Sequence, residues 1–223
     1  MWWRMLVRWL VLSAGMAIAG SAWPEGIVQV LDRSQQMRLD SLEVSAVDSA
    51  RARTLQADFD RLVRSLEFDQ PVTLRVVRAP LWAETLLGRV VVANEALADL
   101  PEGARLFILA HELGHVRLGH WAQMGLLFRQ WVPGDVTPQH TDAVASRLGS
   151  DASALAHRQE FEADAYAQRA LRRIGVSSGD MLAVFRQIGG DDDTATHPSA
   201  NERIEALETQ AAHDRSNVAA APR

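Results

Sequence analysis

The sequence predicts an α+β domain that is mostly helical, with a small β-sheet beside one central helix. Three observations carry this prediction. Amphipathic helical spacing recurs along most of the chain, for example at Leu55, Phe59, Leu62, Val63 and Leu66. Short β-branched runs occur at Val72–Val77 and Arg89–Ala93, bounded by Pro71 and Gly88 and set between helices. Leu106 to Ala110 is apolar on nearly every face of a helix and must be surrounded. At 223 residues, 48% hydrophobic and 23% charged, the chain can build one domain with a real core, and disorder, collagen or a many-span membrane protein fit poorly.

Taken in order, residues 1–22 read as a secretory signal peptide. Arg4 and Arg8 are the only charges before Glu25, an apolar stretch runs from Trp9 to Ala19, and the small residues Ala19 to Ala22 follow. The alternative is an uncleaved inner-membrane anchor counted from Met5 to Trp23. Residues 24–44 carry no decisive pattern. A helix is expected over Val47 to Leu66, then the two strands, then a helix starting near Pro101 with Glu102 in its first turn. Residues 121–132 are strongly apolar and end at Pro133-Gly134. Another helix is expected from Ser153 to Ile174, closed by Gly175, and a shorter one from Met181 to Ile188. Residues 189–193 read as a loop. Ser199 and Glu202 form a capping box that opens a last helix to about Ala212, and residues 214–223 read as a flexible tail.

The chain has no cysteine, so disulfides, thiolate metal sites and cysteine nucleophiles are excluded. All its basic residues are arginine, and its net charge of -5 becomes more acidic once the two arginines of residues 1–22 are removed. No basic cluster offers a nucleic-acid surface.

The chemistry concentrates in His111-Glu112-Leu113-Gly114-His115, an H-E-x-x-H run on the apolar helix. Residues four apart share a helix face, so His111 and His115 can bind one Zn2+, with Glu112 placed as general base. The competing reading, a solvated helix face, conflicts with the apolar surround. A catalytic zinc needs a third protein ligand. Glu160 and Asp164 are i and i+4 on the next long helix, so Glu160 can bind the metal while Asp164 accepts the second ring N–H of a ligand histidine. From spacing alone, a solvated acidic face competes with this reading, and Glu162 points away from both. His197 stands in a loop before a capped helix, where it is a fourth ligand, an oxyanion donor or a plain loop histidine. His120 reads as supporting or structural, whereas His140, His157 and His213 are expected to face solvent.

These three segments, His111 to His120, Glu160 to Ala167, and His197-Pro198 with Arg203, resemble the zinc metallopeptidase family of the CaaX prenyl endoprotease and HtpX. They look similar to its exported soluble members, BepA-like and LoiP-like. The resemblance spans about residues 45–210. It implies a gluzincin-type metallopeptidase domain over residues 23–213 with one Zn2+ on His111, His115 and Glu160. Glu112 would be the general base and Asp164 would support the ligands. For His197 the resemblance implies either a regulatory fourth ligand or, with Arg203, assistance to the transition state. The family's membrane spans and C-terminal repeat domain have no counterpart here, so a minimal catalytic domain is expected.

The expected function is a periplasmic zinc endopeptidase of protein quality control, acting on misfolded, unfolded or membrane-associated envelope proteins. The alternative is a latent zinc protein, a chaperone or assembly factor capped by His197. The strand Val90 to Ala93 is expected either to pair with an extended substrate or to lie inside the sheet. Residues 121–132 are expected to be a hydrophobic lip for substrates or peripheral membrane contact, or plain core.

Overall fold

The computed structural model describes residues 25–46, 48–188 and 193–220. The leader-like residues 1–22 and most of the expected 189–193 loop therefore lie outside the described residues. The first helix, α1 (Ile27–Ser41), is followed by a short strand β1 (Glu43–Val44) and by α2 (Ala50–Ser65). Strands β2 (Thr73–Arg78), β3 (Ala83–Leu86) and β4 (Val90–Asn94) come next, then a 3-10 turn over Glu95–Asp99. The rest is helical: α3 (Glu102–Arg117), α4 (His120–Trp131), α5 (Pro138–Asp142), α6 (Ala145–Arg173), α7 (Ser178–Ile188) and α8 (Ala200–Ala220). The α+β, mostly helical class is therefore found. Among the described residues no helix is long and apolar enough to cross a membrane.

The sheet order is β1-β2-β4-β3. Strands β2 and β4 are parallel, with Thr73 opposite Val90 and Val77 opposite Asn94. Strand β3 runs antiparallel to β4, with Ala83 opposite Ala93. Alternation along β4 sends Val91 and Ala93 into the main core with α2 and α3, and Val92 toward Leu39 of α1, Val77 and Leu86. The β3–β4 connection is the three residues Leu87 to Arg89, of which Leu87 and Gly88 both have positive φ, 55° and 62°. The Arg89 N–H closes it on the Leu86 carbonyl at 3.1 Å, a geometry that matches strand twist in a hairpin.

Of the two expectations for Val90 to Ala93, the interior strand is found and substrate pairing is not. Both backbone edges of β4 are already used, by β2 and β3, so the strand is interior. The strand at that edge of the sheet is β3, which residue preference hides because Ala83 and Glu84 are poor strand formers.

Helix α3 is buried almost all round, with Ala104, the run Leu106 to Gly114, and Val116 all in the interior. It is enclosed by α2, α6, α7 and the sheet. Gly114 permits the close approach of α6, because a Cβ there would lie 3.2 Å from Ala163 Cα and 3.1 Å from Tyr166 Cδ1. The buried small residues Ala163, Ala167 and Ala170 complete the contact.

The largest departures from expectation are at three helices. Helix α1 fills a stretch with no clear pattern, since only Ile27, Leu31 and Leu39 are buried in it. Helix α6 begins at Ala145 rather than Ser153, because its first two turns are mostly exposed and carry no apolar stripe. Helix α8 runs on to Ala220, past the predicted end near Ala212. The apolar segment 121–132 is largely accounted for by packing. Trp121, Phe128, Trp131 and Val132 cluster with Ile27, Val28 and Leu31 of α1, and Leu126, at 55% exposure, is the large side chain turned outward.

Candidate metal centre

The buried helix α3 and the neighbouring α6 bring three donors together. His115 Nε2 lies 3.0 Å from His111 Nε2 and 3.3 Å from Glu160 Oε1, and His111 Nε2 lies 3.5 Å from Glu160 Oε2. These ligand atoms all fall within 4.8 Å of one another. His111 and Glu160 are buried and His115 is half-buried, so the group is reached from the His115 side.

The residues fit a zinc ion on two counts. Two imidazoles and a carboxylate, without thiolate, are the donor set of a hydrolytic zinc. Glu160 Oε2 is buried and makes no hydrogen bond among the described residues, with His111 Nε2 and Arg203 Nη1 at ion-pair distance, 3.5 and 3.4 Å, so it has a lone pair open to a cation. Burial disfavours the Glu160 carboxylate, yet His111, His115 and His197 outweigh it and hold its pKa well below the usual range.

Each ligand histidine is backed by a different device. His111 Nδ1 donates to Asp164 Oδ1 at 2.9 Å, which leaves Nε2 free for a metal. Asp164 in turn accepts from Arg203 Nε at 2.7 Å and Nη2 at 2.6 Å, a bidentate pair. Burial of Asp164 is outweighed by Arg203 and His111, so its pKa lies below the ordinary value. For His111, burial opposes protonation, but Glu160 and Asp164 prevail and raise its pKa. His115 is backed by His120, with Nδ1 to Nδ1 at 2.8 Å, and His120 Nε2 reaches Glu162 Oε2 at 3.2 Å. Burial, with the neighbouring imidazoles of His115 and His111, pushes the His120 pKa down to about 4.

Glu112 is buried on the sheet side of α3. The Thr85 hydroxyl of β3 lies 2.7 Å from Glu112 Oε2 and 3.0 Å from the Glu112 carbonyl oxygen, so edge strand and carboxylate are held together. Spacing along the chain offered no sign of Thr85, because its strand was not legible.

His197 reaches the site from the loop before α8, with Nε2 at 3.7 Å from Glu160 Oε1 and its side chain 41% exposed. Its loop is pinned by the Thr194 N–H on the His197 carbonyl at 2.9 Å and by the His197 N–H on Thr194 Oγ1 at 3.0 Å. His157 Nε2 holds the same loop at the Thr194 carbonyl, 2.5 Å away. His157 is therefore half-buried and structural, which corrects the expectation that it faces solvent, whereas His140 and His213 are exposed. The capping box is present: the Ser199 N–H donates to Glu202 Oε2 at 3.0 Å and the Glu202 N–H to Ser199 Oγ at 3.3 Å.

That box starts α8 so that Arg203, one turn on, reaches α6. Two of its nitrogens bond Asp164 and the third, Nη1, lies 3.4 Å from Glu160 Oε2, with the guanidinium 5.1 Å from the Phe185 ring centroid. Arg203 thus sits on the two α6 carboxylates. Glu162, expected to point away from Glu160 and Asp164, meets His120 instead, with Oε2 at 3.2 Å from Nε2.

The sequence profile of peptidase family M48 matches residues 49–211, from the Ser49 cap of α2 to Ala211 in α8. The chain belongs to peptidase family M48. Members of the M48 family are zinc metallopeptidases, in keeping with the resemblance of the three motifs. The fold is similar to that of Ste24p from S. mikatae, known from a crystal structure, with 15% identity and a TM-score of 0.53. That match covers 80% of this chain and 55% of the other, so the chain spans about half the length of Ste24p. No curated protein matches the chain. Helix α1 and strand β1 precede the M48 match, and α1 is the helix that braces β3, through Arg38 Nε on both oxygens of Glu84 at 2.8 Å.

Proposed function

We propose that this M48 chain is a zinc endopeptidase that hydrolyses peptide bonds in extended, misfolded polypeptides of the cell envelope. The observation that carries the reading is the meeting of His111 Nε2, His115 Nε2 and Glu160 at one point, with Glu112 on the same helix. When bound there, Zn2+ would polarise the scissile carbonyl and lower the pKa of water at the site. Glu112 takes the proton of the attacking water and delivers it to the leaving amine. Thr85 holds the Glu112 carboxylate for that exchange, and Asp164 with Arg203 holds the ring of His111. The β3 edge at Ala83–Leu86 lies beside Glu112 and suits an extended backbone laid along it.

The test is metal analysis with casein cleavage by wild type and Glu112→Gln. The expected result is full zinc content in both and a loss of at least about a hundredfold in rate for the variant. Undiminished cleavage by Glu112→Gln would sink the mechanism. A periplasmic location rests on the composition of residues 1–22, and N-terminal sequencing of the exported protein checks it.

The position of His197 beside Glu160 favours a second reading, a latent protein whose site is capped and whose work is chaperone-like. His197→Ala separates the two. A rise in cleavage supports the cap, and a collapse supports assistance to the reaction.

A further inference from the structure

Resting on the zinc reading above, we infer that His120 and Glu162 form a proton-ordered relay that fixes ligand His115, so that zinc affinity depends on a carboxylate at the surface. The ring of His115 sets the order of the protons. Its Nε2 faces His111 and Glu160 at 3.0 and 3.3 Å, so Nε2 is the ligand nitrogen and Nδ1 carries the proton. The partner of that Nδ1 is another imidazole nitrogen, His120 Nδ1 at 2.8 Å. One proton serves the pair, so His120 Nδ1 accepts it. A neutral His120 then keeps its own proton on Nε2 and donates it to Glu162 Oε2 at 3.2 Å. The direction of every bond follows from the first.

The fold builds this relay deliberately. Gly119, with φ 68°, turns the chain between α3 and α4 and places His120 at the first position of α4. Gln159 Nε2 of α6 donates to the His120 carbonyl at 3.2 Å, and the ring is 3% exposed. The imidazoles of His115 and His120 stand edge to face, 4.8 Å between centroids and 81° apart. The two ligand histidines are therefore supported unequally. His111 rests on the buried Asp164–Arg203 pair, whereas the His115 chain ends at Glu162, whose side chain is 44% exposed with Arg158 Nε 3.9 Å away. A change at the surface can reach the metal through Glu162 without touching a ligand.

The experiment measures the zinc dissociation constant by chelator competition for wild type, His120→Ala, Glu162→Ala and Glu162→Gln, each with a melting curve of the metal-free protein. Removing such a partner of a ligand histidine weakens metal binding by about ten- to a hundredfold, which is the expected result for His120→Ala. Glu162→Ala should weaken it in the same direction by less, and Glu162→Gln, which keeps an acceptor oxygen, should recover part of the loss. Glu162 is at the surface, so its variants carry the test if His120→Ala fails to fold. Nitrogen-15 imidazole shifts of the zinc-loaded protein should show His120 protonated at Nε2 and bare at Nδ1. Variants that bind zinc as tightly as wild type, or the opposite protonation of His120, would overturn the relay. A wild type that binds no zinc would instead overturn the metallopeptidase reading itself.

Discussion

Thr85 shows how much of the site depends on one hydroxyl outside the recognisable motif. It bonds the Glu112 carboxylate at 2.7 Å in a half-buried setting, and hydrogen bonds to charged groups are worth about 1.5–3 kcal/mol. If Glu112 is the general base, Thr85→Val should lower kcat by about ten- to a hundredfold, with zinc affinity unchanged and Thr85→Ser close to wild type. Steady-state kinetics beside chelator competition check this, and a loss confined to KM would count against it. The residues that were legible beforehand share one property, since their relation is local. His111 with His115, and Glu160 with Asp164, are each four apart on one helix, so spacing alone places each pair on one face. Thr85, Glu162 and His157 gain their roles from partners 27, 42 and 37 residues away, and no local pattern carries that information.

At the scale of elements, the contact between α3 and α6 sets the donor geometry, because the histidines come from one helix and Glu160 from the other. Gly114 sits in that contact with no room for a branched side chain. Gly114→Val should push the helices apart, costing about 1–3 kcal/mol in urea unfolding and weakening zinc binding in parallel. Normal zinc affinity in a folded Gly114→Val protein would show that the spacing is not what places Glu160. A second tie runs from α8 to α6 through Arg203, whose side chain is mostly buried. Arg203→Met leaves Asp164 buried without its cation, and about 3–5 kcal/mol of stability should be lost, measured by the same unfolding curve. The helices with a strong apolar stripe were legible, as was α3, which is apolar all round. Helix α1 and strand β3 were not, because their stability comes from distant partners: α1 packs on Trp121, Phe128 and Val132, Arg38 holds Glu84, and Val90 to Ala93 supply the pairing that Ala83 to Leu86 lack by preference.

For the whole molecule, the metal would join parts of the chain already tied by packing, by the His111–Asp164 hydrogen bond and by the Arg203–Asp164 pair. His111 and His115 lie on the central helix, Glu160 lies on a helix that also anchors α8, and α8 carries the Arg203 pair that backs His111. Binding at that junction acts only on the folded state, since the donors are far apart in an unfolded chain. At free zinc about a thousandfold above the dissociation constant, the linkage is worth about 4 kcal/mol. For a chain of this size each kcal/mol moves Tm by about 2–4 °C, so zinc should raise the melting temperature of the metal-free protein by about 8–16 °C. Glu112→Gln, which keeps all three donors, should show the full rise. Glu160→Gln, which removes the carboxylate ligand, should lose most of it, and its metal-free form should itself melt lower than that of wild type, because the ionised Glu160 is held by His111, His115 and Arg203. Calorimetry of the three proteins with and without zinc separates these cases. An equal rise in Glu160→Gln would place the metal elsewhere, and no rise in wild type would mean that the convergence of His111, His115 and Glu160 serves the fold alone.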